Sequence, residues 1–331
     1  MVSQIFVGKA RYECFVFFFI LYYDNRSRNQ RQGKREEWEM YELIQVSDHA
    51  YYIQCPAKMG LAVSEGGRAY LIDSGNDRDA GKKVKKILDG NGWVLDAVYN
   101  THSHADHIGG NQYLRAQTGC RIFAPGIERD FTAHPVLEPS FLYGANPPKA
   151  LRHKFLMAKE SSAELLSEDV LPEGFSCIPL PGHSFDMVGF RTPEDVVYLA
   201  DCLSSEETLN KYQINFLVDP AAYIDNMEQV KKMEAKVFIP AHAEACADIA
   251  PLAQKNIDKV QEIAEKITDI CREPLCAEQI LGRLFDDYGL AMNFEQYVLV
   301  GSTVRSYLAW LLDTGRLLAE FEENMLLWRR A

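Results

Sequence analysis

Short alternating or apolar runs begin after Met40 and predict a β-meander in the first part of the chain. Three short runs carry the pattern, over residues 50–53, 60–63 and 69–72. Short runs of this kind, separated by polar or glycine-containing segments, are typical of β-strands. Residues 79–92 instead place Val84 and Leu88 one helical turn apart among lysines, so the pattern changes there from strand to helix.

The middle of the chain alternates between apolar runs and helical or irregular segments. The apolar runs predict buried strands over residues 96–100, 121–124, 175–180, 187–191 and 196–200. Between them the sequence predicts a helix near 109–118 and an irregular, proline-rich segment over 125–160. This mixture of strands and helices indicates a layered α/β domain, which we place over residues 40–250.

Beyond Pro251 the pattern becomes helical and predicts a second, small domain over residues 251–331. Apolar residues recur on one face of its first helix, at Ile257, Val260, Ile263, Ile267 and Ile270. Two more helices are predicted near 277–287 and 294–312, followed by a hairpin of residues 317–321 and 325–328. Three helices and a hairpin suggest a winged-helix-like module. Its nine Lys/Arg against thirteen Asp/Glu disfavour DNA binding.

Residues 1–39 differ in composition from everything that follows. An aromatic run from Phe15 to Tyr23 precedes a polar stretch, and the segment has seven basic residues against five acidic ones. The run is shorter than the roughly 18 apolar residues of a membrane span, and no small-residue cleavage site follows Tyr23, which disfavours a signal peptide. We expect an extension outside the fold. A start codon assigned too far upstream and a loosely docked strand are both open explanations.

Overall charge and cysteine usage narrow the class of protein. The chain has 331 residues and a net charge of −12, which repels nucleic acids except at a local basic patch. The eight cysteines are scattered and form no CxxC pair, as is usual in a reducing compartment. We therefore expect a cytoplasmic protein that acts on a small molecule and does not bind a membrane, with a homodimer as an open assembly.

The strongest chemical signal is the segment Thr101–Gly110, THSHADHIGG, at the end of a predicted strand. Alternate residues of an extended loop point the same way, so His102 and His104 can bind one cation. Asp106 and His107 can then turn toward a second. Zn²⁺ favours such nitrogen and carboxylate ligands. The sequence therefore predicts a metal centre on this loop.

The HxHxDH pattern, with Asp73-Ser74-Gly75 upstream, resembles the metallo-β-lactamase superfamily and in particular its glyoxalase II-like hydrolases. Three further motifs of that pattern are present, at Pro181-Gly182-His183-Ser184, Ala200-Asp201-Cys202 and Pro240-Ala241-His242. The resemblance covers residues 41–245. It implies an α/β fold in the form of a four-layer αββα sandwich, here with a small C-terminal helical or winged-helix-like domain.

The resemblance also implies the ligands of a dinuclear metal centre. The first metal would be bound by His102, His104 and His183, the second by Asp106, His107 and His242, and both by a bridging Asp201. It makes Asp73 a carboxylate that orients the ligand loop without binding metal. Cys202, next to the bridging carboxylate, is expected to be a packed core thiol.

Such a centre predicts hydrolysis. Two divalent ions, Zn²⁺ first with Fe and Mn as alternatives, lower the pKa of a shared water and create hydroxide as the nucleophile. With Asp106 and Asp201 as catalytic carboxylates, we expect a small ester, thioester, lactone or amide substrate. An aspartate at position 201, where zinc β-lactamases place a cysteine, disfavours β-lactamase activity.

The segment 125–170 mixes aromatic residues with scattered cations between the metal motifs. Long loops in compact domains are usually lids or binding loops. We expect this one to form a wall of the pocket, with His134, Tyr143, Arg152 and Lys154 as candidate contacts for an anionic substrate group. The C-terminal elements that bind glutathione thioesters in glyoxalase II have no match, so that substrate is not implied.

Three other functions stay open at this stage. A phosphodiesterase or nuclease could use the same metal pair, although the acidic chain lacks a basic arm. An iron-dependent sulfur oxidoreductase of the same fold is a second alternative. The third is a DNA-binding regulator that uses the C-terminal module, which a salt-dependent shift on duplex DNA would reveal.

Overall fold

Two β-sheets packed face to face form the centre of the fold in the computed structural model, which describes residues 40–331. The strands of the first sheet are β1 (Glu42–Gln45), β2 (Ala50–Gln54), β3 (Met59–Val63), β4 (Arg68–Ile72), β5 (Val94–Tyr99), β6 (Arg121–Ala124) and β7 (Glu164–Leu165). They pair in chain order, β1 to β4 antiparallel and β4 to β7 parallel. The predicted meander is confirmed.

The second sheet has four strands in the order β11-β10-β9-β8. These are β8 (Ser176–Pro179), β9 (Val188–Arg191), β10 (Val196–Ser204) and β11 (Val237–His242). Strands β10 and β11 run parallel, whereas β8, β9 and β10 are antiparallel. The ends of β10 and β11 therefore lie at one edge of the sheet, where each carries a predicted metal ligand.

Alternation along the strands explains why the sheets face each other. In β2 and β4, Tyr52 and Ile72 enter the core between the sheets, while Ile53 and Leu71 point to the helical side of the first sheet. The buried hydroxyl of Tyr198 donates to two carbonyls of the opposite sheet, that of Tyr51 at 2.8 Å and that of Leu61 at 3.3 Å. This inter-sheet core confirms the predicted sandwich.

Helices cover the outer face of each sheet. They are α1 (Arg78–Asn91), α2 (Ala105–Ile108), α3 (Asn111–Thr118), α4 (Glu128–Ala133), α5 (Leu137–Tyr143), α6 (Glu206–Tyr212), α7 (Pro220–Val230) and α8 (Ala250–Ile270). The carboxylate of Asp77 caps α1 by accepting from two backbone N–H groups, and Val84 and Leu88 bury its apolar face against the first sheet. None of these described helices is both long and apolar enough to cross a membrane.

The C-terminal region is helical, as predicted, and ends in a hairpin. It continues α8 with α9 (Ala277–Tyr288) and α10 (Phe294–Asp313), followed by strands β12 (Leu317–Glu322) and β13 (Met325–Arg330). One hydrophobic cluster joins Leu199 of β10 to Ile267 of α8 and Tyr307 of α10. The C-terminal helices thus share a core with the second sheet across the boundary predicted at residue 251.

The prediction of an irregular segment over 125–160 was wrong, because α4 and α5 lie within it. Each helix has fewer than eight residues, which is too short for a helical period to show in the sequence. A proline between them, Pro135, separates the two helices. The extension predicted over residues 1–39 lies outside the described residues.

Candidate metal centre

The predicted ligand loop leaves the end of β5 and enters the short helix α2. His102 and His107 are fully buried on it. The loop packs directly on the turn after β4, since a Cβ atom at Gly109 would lie 2.2 Å from the carbonyl carbon of Asn76 and 2.5 Å from the nitrogen of Asp77. Only glycine permits this approach, so the second half of the motif fixes the loop against the first sheet.

Three histidine nitrogens meet in a first group of candidate ligands. His102 Nε2 and His183 Nε2 lie 2.9 and 3.1 Å from His104 Nδ1. Asp201 Oδ2 completes the group at 3.9 Å from His102 Nε2 and 3.6 Å from His183 Nε2. These four atoms come from both sheets, which explains why the motifs are far apart in the sequence.

A second group lies on the other side of Asp201. Asp106 Oδ2 is 3.8 Å from His107 Nε2 and 3.6 Å from His242 Nε2. Asp201 faces the same two nitrogens, with Oδ1 at 3.0 Å from that of His107 and Oδ2 at 3.1 Å from that of His242. All seven predicted ligands are therefore assembled in two groups of four that share Asp201.

In four of the five imidazoles, the ring nitrogen that faces away from the centre, the outer nitrogen, makes a hydrogen bond that directs the other nitrogen inward. The Nδ1 atoms of His102, His107, His183 and His242 lie 2.7 to 3.1 Å from Thr101 Oγ1, Asp73 Oδ2 and the carbonyls of Phe216 and Pro56, respectively. An Nδ1–H that donates outward leaves the Nε2 lone pair facing the centre. This is how metal-binding histidines are held in general.

Two atoms at the centre lack a hydrogen-bond partner among the described residues. His107 Nε2 and Asp201 Oδ1 are buried, and although they are 3.0 Å apart they do not have hydrogen-bond geometry. Buried polar atoms are nearly always paired, and exceptions call for an unseen water or ion. Nitrogen and carboxylate oxygen in this arrangement are compatible with a divalent metal ion.

The two groups differ in electrostatics. Burial lowers the pKa of His104 and of His183 to about 4, so both are neutral at pH 7. Burial also lowers the pKa of His107, but Asp201, Asp73 and Asp106 outweigh it and raise this pKa well above its ordinary value. Burial acts in the opposite direction on Asp201, where His107 and His242 hold the pKa well below the usual range. The second group therefore attracts positive charge more strongly.

Asp73 occupies the place that its predicted orienting role requires. Its buried carboxylate accepts hydrogen bonds from the Thr101 N–H and O–H, both at 2.8 Å, and from His107 Nδ1–H at 2.7 Å. Asp73 itself has a left-handed backbone with φ of 61°, a strained conformation that is concentrated at functional sites. It fixes the ligand loop and one ligand ring together.

Glu128 is a residue of the centre that the sequence analysis missed. It is 1% exposed, and its carboxylate accepts from Ser103 N–H at 3.0 Å, Ser103 O–H at 2.5 Å and Asp186 N–H at 3.2 Å. Ser103 lies between two ligands, and Asp186 follows His183 by three residues. Glu128 therefore ties the two ligand loops together. No local motif marks it, since it lies on a short helix of the insertion.

Asp201, which both ligand groups share, lies next to an irregularity in β10. The pairing of β10 with β11 shifts register around Ala200, which has a φ of 50°. Bulges of this kind re-aim side chains next to active sites. The neighbouring thiol of Cys202 is fully buried in the hydrophobic cluster behind the sheet, as the sequence predicted.

A shallow cleft lies beside the first ligand group. It is lined by Ser103, His104, Glu128, Phe131, Glu138, Phe141, Ser184, Phe185, Phe216 and Val218. Glu138 Oε1 lies 3.6 Å from His104 Nε2, and burial, with a smaller effect of Glu128, raises the pKa of Glu138 to about 8. The cleft is thus mainly aromatic.

The four residues predicted to contact substrate lie elsewhere. His134 is exposed at the end of α4, and the Tyr143 ring packs on Phe294 at 6.4 Å. Arg152 donates to Pro147 O and Asn146 Oδ1, and Lys154 pairs with Asp77 at 3.2 Å. The insertion does supply a wall of the cleft, as expected, but through Phe131, Glu138 and Phe141.

Facing sheets with ligand loops at one edge define a metallo-β-lactamase fold, and sequence comparison agrees. The profile of the Metallo-beta-lactamase superfamily matches residues 54–242, more than half of the chain. The protein belongs to this superfamily, and the curated relatives that it matches make it glyoxalase II-like in sequence.

Three relatives illustrate the extent of the likeness. A hydroxyacylglutathione hydrolase from Methylococcus capsulatus is 48% identical over 46 residues, which cover 14% of this chain and 18% of the relative. Another from Pseudomonas entomophila is 27% identical over 139 residues, 41% of this chain and 43% of the relative. The matched segments thus span less than half of these curated relatives.

The third is a solved structure, a β-lactamase domain protein from Burkholderia ambifaria. It superposes with a TM-score of 0.67 at 16% identity, covering 88% of this chain and 94% of that one. At this identity the likeness shows the fold alone. Since the coverage extends over most of the chain, the shared fold includes much more than the ligand motifs.

Proposed function

We propose that this protein is a metal-dependent hydrolase of small acyl compounds, namely esters, thioesters, lactones or amides. The observation that carries the proposal is the pair of ligand groups that share Asp201, with His107 Nε2 and Asp201 Oδ1 buried without hydrogen-bond partners among the described residues. The names of the matched relatives, hydroxyacylglutathione hydrolases, support an acyl substrate.

Under this proposal the first group holds one divalent ion and the second group another, with Asp201 as the bridge. Zn²⁺ suits the imidazole and carboxylate donors best, and Fe and Mn are the alternatives. Such a metal pair would lower the pKa of a shared water so that hydroxide is available at neutral pH. Asp106 and Asp201, whose oxygens face the ligand nitrogens, would orient that water.

The other residues of the site would position the ligand loops and select the substrate. Asp73 and Glu128 would keep the ligand loops in register through the hydrogen bonds described above. The cleft beside His104 would hold the part of the substrate next to the bond that is cleaved.

A phosphodiesterase is disfavoured by the composition of the cleft. Phosphate-binding sites gather Lys and Arg, whereas the described residues that line this cleft include two glutamates and neither lysine nor arginine. The proposal also places the protein in the cytoplasm. The seven cysteines within the described part of the chain are all free thiols, which suits a reducing compartment.

Metal analysis combined with an activity screen tests the proposal. The purified protein, reconstituted separately with Zn²⁺, Fe²⁺ and Mn²⁺, is expected to hold close to two ions and to cleave at least one thioester, lactone, ester or amide. One ion or fewer after reconstitution would overturn the dinuclear centre. A kcat/KM for phosphodiesters a thousandfold above every acyl compound, about 4 kcal/mol in activation free energy, would overturn the substrate class.

A further inference from the structure

The cleft beside the first ligand group is walled by four phenylalanines, Phe131, Phe141, Phe185 and Phe216. The Phe185 ring lies 5.8 Å from that of Phe131 and 5.0 Å from that of Phe141. At the inner end, the Phe216 ring lies 5.5 Å from the His104 ring. We call these four side chains the aromatic wall. It begins at the candidate metal ligands themselves.

The outer part of the aromatic wall is exposed. Phe141 is 36% exposed and Phe185 is 37% exposed. Apolar side chains beside them in the sequence also face solvent, namely Ile127, Val136 and Leu137. Partly exposed phenylalanine rings that pack on one another beside a candidate metal centre mark a binding site more often than singly exposed apolar residues do.

The charges in the cleft restrict what can bind there. Glu128 is already engaged by Ser103 and Asp186, while Glu138 faces the cleft beside His104. Among the described residues that line the cleft, no lysine or arginine is present to pair with an anion. A carboxylate or phosphate on the bound group would therefore lose water against phenylalanine rings with no cationic side chain of the cleft to pair with, which is unfavourable. This argues against the anionic substrate group expected from the sequence.

We propose that the aromatic wall binds an uncharged aryl or alkyl group of the substrate, next to the acyl bond that is cleaved. The inference rests on the proposed function and narrows its substrate class from small acyl compounds in general to those with an apolar group. Aryl groups gain both buried apolar area and ring contacts against phenylalanine. The metal ligands at the inner end of the wall set where the acyl carbon lies.

Binding of a thiol series to the Zn²⁺-reconstituted protein tests this inference separately from turnover. The probes share the head HS–CH₂–CO–NH–R, whose thiolate binds Zn²⁺, and R is methyl, benzyl, 2-carboxyethyl or 2-aminoethyl. We expect the benzyl probe to bind about tenfold more tightly than the methyl probe, about 1.4 kcal/mol, and the carboxyethyl probe to bind most weakly. Calorimetry on the same samples with and without Zn²⁺ gives the contribution of the metal centre.

Substitutions in the aromatic wall test which side chains give the preference for the benzyl probe over the methyl probe. Phe185→Ala should reduce the benzyl-to-methyl affinity ratio at least threefold while the methyl probe binds as before, and Phe141→Ala should act in the same direction. The matched control is Phe321→Ala, which removes a phenylalanine that is 78% exposed on the hairpin strand β12 and does not line the cleft, and it should leave the ratio unchanged.

The possible results separate the inference from the proposed function. A ratio near one, a ratio that Phe185→Ala and Phe141→Ala leave unchanged, or tightest binding of the carboxyethyl probe would overturn the aromatic wall as the binding surface. Zn²⁺-dependent binding with the expected ratio, but no cleavage of any acyl compound, would support the wall and overturn the hydrolase. Cleavage of acyl compounds together with tightest binding of the carboxyethyl probe would support the hydrolase and overturn the aromatic wall.

Discussion

The two sheets hold their metal-ligand histidines in different ways. On the first sheet, the outer nitrogens of His102 and His107 are bound by side chains, those of Thr101 and Asp73. On the second sheet, the outer nitrogens of His183 and His242 face main-chain carbonyls, those of Phe216 and Pro56.

This difference predicts how mutations will act. A main-chain acceptor survives any side-chain substitution that keeps the local fold, whereas a side-chain acceptor is lost with the residue that carries it. The half of the centre on the first sheet should therefore be sensitive to changes at residues that bind no metal. The half on the second sheet should respond mainly to changes in the ligands themselves.

Asp201 belongs to both halves, so its loss should have the largest effect. Asp201→Ala removes the one carboxylate shared by the two ligand groups. We expect metal content to fall below two ions and kcat/KM to fall by at least about a thousandfold, about 4 kcal/mol. Elemental analysis and steady-state kinetics measure both. Asp225→Ala, on the exposed face of α7, is the control, and full metal content in Asp201→Ala would contradict a bridging role.

Asp73 tests the side-chain-supported half directly. Asp73→Asn keeps the shape of the residue but replaces one acceptor oxygen with an NH₂ group, which accepts no hydrogen bond, so His107 Nδ1–H and the Thr101 O–H lose the oxygen to which both donate. We expect metal affinity to fall 10- to 100-fold, the usual cost of losing such a partner. Competition with a chelator measures this affinity.

The matched control for this change is Asp77→Asn, four residues along the chain. Asp77 caps α1 and contacts none of the candidate ligands in the described structure, and asparagine is an equally good cap. Metal affinity equal to wild type in Asp73→Asn would remove the distinction between the two sheets.

Glu128 should have a smaller effect on metal binding and a clear one on stability. Glu128→Gln weakens the accepted hydrogen bonds from Ser103 and Asp186, and hydrogen bonds to a charged group each contribute about 1.5–3 kcal/mol. We expect the free energy of unfolding of the metal-free protein to fall by about 2 kcal/mol, and metal affinity to fall about threefold. Urea titration and chelator competition measure these quantities.

Asp130→Asn is the control for Glu128, since Asp130 is an exposed carboxylate of the same helix. It should leave the urea midpoint unchanged. An unfolding free energy of Glu128→Gln equal to that of wild type would show that the two ligand loops hold their positions without this link.

The smallest effect on metal content and activity is expected at His134, which lies outside both halves of the metal centre. His134→Ala should keep both metal ions and a kcat/KM within about twofold of wild type, because this side chain is exposed and does not line the cleft. A large loss of activity with intact metal content would instead restore the substrate contact that the sequence suggested.

Much of the fold could be predicted from the sequence because its strands carry a local signal. Strands β2, β3, β4 and β6 lie within a residue of their predicted bounds, since a short apolar run between polar segments is a local signal of a strand. Helices α4 and α5 were missed for the opposite reason. With six and seven residues, they are too short to show a period, and their place depends on packing against the ligand loops.

The sequence by itself determined the family and the seven candidate ligands, because each ligand lies in a short motif at the end of a strand. It also placed Asp73, which belongs to one of those motifs. Only the tertiary structure decided that Glu128 joins the two ligand loops and that four phenylalanines from separate segments form one wall. These residues act through contacts between distant parts of the chain, and such contacts exist only after the two sheets have packed.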